Sequence, residues 1–251
     1  MMSSIRELRI EPPAPILEAT RQWLAPVREA LGGDFLAAYL TGSVLTQGFD
    51  PKQSRVNILV LARELPAEAV DRLGPAIPRD GRKRPAFEPL FVTLRQMEKS
   101  LDAFPIEWLE IQERHLLLEG EDVVATLKVP RTYLRLQCEQ QLRGKLLHLR
   151  QGLLAHWDDD KALGDLLAGS ASSFAALFRT LLRLRGETTP ADTPKVIERV
   201  ADLYRLEAQG LLAAHLARYA GLRPGTARPM TRGFLAQIER LIVAIDELSV
   251  P

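Results

Sequence analysis

The chain has 251 residues, 46% of them hydrophobic and 26% charged, with a formal net charge of +1. That is the profile of a globular protein of one large or two medium domains, and so small a charge gives no global electrostatic reason to bind nucleic acid or a membrane surface. The single cysteine, Cys138, excludes an intrachain disulfide and a CxxC zinc site.

No run of about eighteen apolar residues occurs, so no transmembrane helix is expected. The opening "MMSSIRELRIEPPAP" has no apolar signal core, and a cytoplasmic location is the expectation. There is no internal repeat and no low-complexity tract.

In chain order, residues 16–32 carry apolar side chains at helical spacing and stop at a Gly-Gly pair, which predicts a helix with a glycine stop. Residues 35–40 form a short apolar strand that runs into the turn "TGS", and residues 55–62, "RVNILVLA", form a second strand. A helix over 66–73 and a basic turn, "DGRKRP", follow. Residues 86–94 are a third strand, which Pro89 places at an edge or a bulge. "RQMEKSLDAFP" reads as a short helix ending before Pro105, and residues 106–120 as a strand and a turn, with a second short strand.

After Pro130 the pattern changes. Leu134, Cys138, Leu142, Leu146, Leu149 and Leu153 recur every three or four residues along one face of a long helix. Cys138 on that stripe reads as a buried, inert thiol. Arg131, Arg135, Glu139, Arg143 and Arg150 lie on another face, a solvated face or one that meets an anion. Further helices are expected over 172–185, 194–209, 211–220 and 231–248, with "DDD" at 158–160 as a helix-start signal. The layout is α+β: a mixed-sheet domain over 1–125 and an all-helical bundle over 126–251. Leu211, Leu212 and Leu216 suit either the bundle core or a homodimer surface.

A strand, a Gly-Ser turn at Gly42 and Ser43, a loop of about a dozen residues, and a strand with polar alternation together resemble the nucleotidyltransferase superfamily. In that pattern Ser54, Arg55, Val56 and Asn57, followed by Ile58, Leu59 and Val60, stand where the family typically shows Ser-Asp-Ile-Asp and an apolar run. The downstream "SLDAFP" and "GED" are similar to the later part of bacterial nucleotidyltransferase-domain proteins. The helical second half is similar in layout to aminoglycoside nucleotidyltransferases. The resemblance implies a nucleoside triphosphate as ligand, with Gly42, Ser43 and Arg55 as its binding residues.

Nucleotidyl transfer needs a divalent metal to bridge phosphate oxygens, and magnesium prefers carboxylate ligands. Acids two apart on a strand share one face. Here that face carries Arg55, a permanent cation, and Asn57, a neutral amide. The expectation is therefore a catalytically degenerate protein without a metal site, which keeps nucleotide or partner binding. An active enzyme would need magnesium held by Asp50, Glu88 or Glu110, with transfer to a small hydroxylated acceptor. An interaction module of a paired regulatory or toxin–antitoxin system is the other reading. Arg55 either meets phosphate or pairs with Glu88 or Glu110. Of the four histidines none forms an HxxxH or HExxH pair, and no Walker A loop, GxGxxG or GxSxG occurs.

Overall fold

The computed structural model describes residues 11–45, 49, 55–77, 86–190, 192–220 and 222–248, with backbone alone at 172 and 218–220. The loop residue Asp50 and the basic turn at 80–85 lie outside the described residues. The chain divides into two compact units, Met1–Val129 and Pro130–Pro251.

In the first unit, helix α1 (Ala14–Leu31) follows Pro13 and has a proline in its first turn, where the missing N–H costs nothing. It buries Ile16, Thr20, Trp23, Leu24, Val27 and Leu31, a three-and-four spacing that makes one face. Strands β1 (Phe35–Thr41), β2 (Val56–Ala62), β3 (Phe87–Thr93) and β4 (His115–Gly120) build a four-stranded sheet among the described residues, in the order β3-β2-β1-β4. β1 is antiparallel to β2 and β4, and β2 is parallel to β3, so the sheet is mixed. Pro89 lies on β3, an edge strand, where a missing N–H need not break a ladder.

Both faces of β2 are covered, which is why its sequence is almost continuously apolar. Ala38, Leu40, Val56, Ile58 and Val60 pack with Trp23 and Val27 of α1. Ala37, Tyr39, Leu59 and Leu61 pack on the other face with Met97, Trp108 and Val124. Helix α2 (Ala67–Ala76) lies against α1. Helix α3 (Leu94–Lys99) starts at a capping box, in which Thr93 Oγ1 accepts from Gln96 N at 3.0 Å and Gln96 Oε1 accepts from Thr93 N at 2.8 Å.

One expectation fails here. The stretch after Pro105 is not a strand: Pro105–Glu113 is helix α4, and only His115–Gly120 extends. Pro105 at the first helical position suits a helix start. The burial of Pro105, Ile106 and Trp108, with the Trp108 indole donating to Ser100 Oγ at 2.9 Å, outweighs the β-like local composition.

Among its described residues the second unit's regular elements are all helices: α5 (Arg131–Ala155), α6 (Asp160–Leu184), α7 (Thr193–Tyr204), α8 (Ala208–Ala220) and α9 (Ala227–Asp246). The α5 stripe from Leu134 to Leu153 is buried, Cys138 included. Burial pushes the Cys138 thiol up to about 12, so it stays protonated and unreactive. α6 is central and packs against α5, α7, α8 and α9. It begins at Asp160, well before residue 172, because Asp159 caps it by accepting from Ala162 N at 2.9 Å. The Gly164, Gly169 and Ser170 positions hide that start in the sequence, and the burial of Leu163, Leu167, Phe174 and Phe178 compensates for their poor helix propensity. Leu211 belongs to the core, whereas Leu216 stays 54% exposed.

Candidate functional site

The two strands flanking the Gly-Ser turn are neighbours in the sheet, and their register fixes what faces what. Thr41, the last residue of β1, pairs with Asn57 on β2 and with His115 on β4, and Asn57 pairs with Glu88 on β3. Glu88, Asn57, Thr41 and His115 therefore form one row across all four strands and share a face. Arg55, two residues before Asn57, projects to that face as well.

The turn itself is a short 3-10 segment, Gly42–Leu45, anchored by buried Val44 and Leu45. Gly42 has φ +75, a left-handed conformation that glycine adopts without strain. A Cβ there would stand 3.0 Å from Asn57 Nδ2, so the Asn57 amide rests against the turn. Ser43 is exposed. Gly42, Ser43 and Asn57, three of the positions singled out in the sequence, are thus gathered at one end of the β1–β2 pair.

Arg55 and Glu88 come together too. Arg55 Nη1 lies 3.6 Å from a Glu88 carboxylate oxygen, with the side chains 65% and 57% exposed. Pairs this open to water contribute about 0–1 kcal/mol. Glu110 does not stand on a sheet strand as expected; it is an exposed residue of helix α4. The loop acid Asp50 lies outside the described residues.

His115 was not singled out by sequence spacing, yet it closes the row. Its Nδ1 faces the carbonyl oxygens of Ile111 and Gln112 at 3.1 and 2.9 Å, and its Nε2 faces the Asp122 carboxylate at 3.1 Å. The ring meets Tyr39 edge-on at 5.6 Å. Tyr39 in turn donates to Glu121 O at 2.8 Å and accepts from Val123 N at 3.1 Å. Burial raises the Tyr39 phenol above its ordinary value, against the pull of the Val124 and Val123 backbone. These bonds tie β4 and the following turn to β1. Only the "GED" turn hinted at them in the sequence.

On α5 the basic face is largely neutralised within its own unit. Glu139 takes Arg143 at 2.8 Å and Arg135 at 3.2 Å, Arg143 also reaches Asp246 at 3.4 Å, and Arg150 pairs with Glu239 at 2.6 Å. The Arg143 hydrogen bond, with the nearby guanidinium charges, holds the Glu139 carboxyl below its usual range. Arg179 donates to Pro190 O and Thr193 Oγ1, pinning the α6–α7 connection.

The donor set of the row does not suit magnesium. A guanidinium, an amide and one carboxylate engaged by that guanidinium replace the cluster of carboxylate oxygens that such an ion prefers. Among the described residues no group of three or more His, Cys, Asp or Glu side chains converges in a metal-holding arrangement. No helix among them is long and apolar enough to cross a membrane.

No family model and no curated protein matches this chain. Solved structures do. The spectinomycin adenyltransferase AAD(9) from Enterococcus faecialis, solved with ATP and spectinomycin, aligns over 92% of this chain and 99% of its own, at a TM-score of 0.53 and 14% identity. A nucleotidyltransferase-like protein from Exiguobacterium sibiricum 255-15 aligns over 91% of this chain and 75% of its own, at a TM-score of 0.42 and 16% identity. The chain has a nucleotidyltransferase-like fold, α+β in its sheet unit and helical beyond it.

Proposed function

We propose that this protein is a nucleotidyltransferase-fold pseudoenzyme that has given up metal-dependent transfer and binds the phosphates of a nucleoside triphosphate directly through Arg55. One observation carries the reading: the strand beside the Gly-Ser turn presents Arg55 and Asn57 on the turn's face, with Glu88 paired to Arg55 at 3.6 Å. A guanidinium offers paired donors that match phosphate oxygens and supplies the positive charge a metal would otherwise bring. The Gly42–Ser43 turn adds backbone N–H groups and a hydroxyl beside it. The spectinomycin adenyltransferase of the same fold was solved with ATP, which supports a nucleotide as the ligand class.

In this reading the protein's own groups bind and orient, and no chemical step is assigned to them. Calorimetric titration with each nucleoside triphosphate, with and without magnesium, tests it. Metal-independent binding that disappears in Arg55→Ala is the expected result. Magnesium-dependent binding with pyrophosphate release, abolished in Glu88→Ala, would instead identify an active transferase with a rebuilt site. Absence of any nucleotide binding, together with a stable complex with a separate protein, would identify an interaction module.

A further inference from the structure

The pairing of Arg55 with Glu88 has a direct consequence for how an anion reaches the row. Arg55 immediately precedes β2, and Glu88 is the second residue of the parallel neighbour β3. Their strand starts are fixed to each other by the Val56 N to Ala86 O bond at 2.9 Å and by the in-register pairs Val56–Phe87 and Asn57–Glu88. The two side chains share one face and reach each other diagonally, and Leu90, two residues beyond Glu88 on that face, remains 48% exposed. The pair is therefore held by backbone geometry, yet it stands in water.

We propose that Glu88 is an internal competitor for the phosphate site: its carboxylate pairs with Arg55 and must be displaced before a phosphate can bind there. The inference rests on the phosphate-binding role of Arg55 proposed above. A carboxylate and a phosphate make the same kind of contact with a guanidinium, so Glu88 and a phosphate compete for the Nη1 side of Arg55, which Glu88 approaches at 3.6 Å. The contact is long and open, hence weak enough for a ligand to break. Glu88 stays next to the incoming anion after displacement and repels it, so removing its charge relieves both the competition and the repulsion.

The test is metal-free titration of the full chain with ATP, and in parallel with inorganic pyrophosphate, for the natural protein and for Glu88→Gln, Glu88→Asp and Arg55→Ala. Both Glu88 variants keep an exposed polar side chain and should fold normally. Gln removes the competing charge. Asp keeps the charge but withdraws it by one methylene. Displacement predicts that both variants bind more tightly, by about two- to fivefold for Gln and less for Asp. Tightening in Gln alone would mean a general charge effect and overturn the proposal. No change in either variant, with binding lost in Arg55→Ala, would overturn the competitor role while leaving the phosphate role of Arg55 intact. Equal binding by Arg55→Ala and the natural protein, or no binding by any variant, would overturn both.

Discussion

The Asn57 side-chain amide lies 3.0 Å from the place a Cβ on Gly42 would take. The turn and the strand that define the candidate site are thus packed against each other, and the fit depends on a residue without a side chain. Gly42 also sits at φ +75. Gly42→Ala should cost about 1–2 kcal/mol, from the left-handed backbone and the displaced amide together. Chemical denaturation of the variant measures it, and Asn57→Ala in the same background should recover part of the loss.

Gly120 makes a stronger prediction of the same kind. It lies at φ +94, and a Cβ there would come within 2.1 Å of the Leu36 carbonyl oxygen, which is backbone and cannot swing aside. Gly120→Ala should destabilise the sheet unit by at least about 3 kcal/mol. A melting temperature close to that of the natural protein would contradict the paired geometry of β1 and β4.

Tyr39 holds the turn after β4 through one donated and one accepted hydrogen bond. Tyr39→Phe keeps the ring and leaves both backbone groups without their partner. A loss of about 1–3 kcal/mol is expected. Hydrogen exchange at Val123 should accelerate more than at the centre of β1.

Restoring acids where the row has Arg55 and Asn57 tests the donor argument for magnesium. In Arg55→Asp with Asn57→Asp, two carboxylates would share a face with Glu88. The double variant should lose thermal stability in chelator from like-charge repulsion and regain it with millimolar magnesium. The natural protein should show no such magnesium-dependent rise.

Alkaline pH should weaken the helical unit. Burial raises Cys138 from 9.0 and Tyr204 from 10.0, each to about 12. Both groups bind their protons more tightly folded than unfolded, so their contribution is complete below about 9 and is lost as pH climbs towards 12. Denaturation midpoints at pH 8, 10 and 11 should fall in that order, and Cys138→Ala should fall less steeply. The same burial predicts that a thiol reagent modifies Cys138 only after unfolding.

Much of this fold is written in local patterns. The glycine stop of α1, the apolar runs of β1 and β2, the edge position of Pro89 and the leucine stripe of α5 each follow from a short-range rule, and each appears where the rule puts it. So does the chemical character of the site, because Arg55 and Asn57 share a face in any strand.

Where the sequence misled, a distant contact outweighed the local preference. Residues 106–113 look extended, but Ile106 and Trp108 are buried on a helix, with Trp108 in the sheet unit's core. The start of α6 is obscured by glycines and serines that only the packing of its neighbours can tolerate. Tertiary structure alone decided the partners: strand register put Glu88, rather than the helical Glu110, beside Asn57 and Arg55, and it placed His115 at the end of the same row. A sequence fixes which side chains share a face of one strand, because that period is local. Which strands lie side by side, and in what register, depends on hydrophobic burial summed over the whole unit, and that sum cannot be read from any one segment.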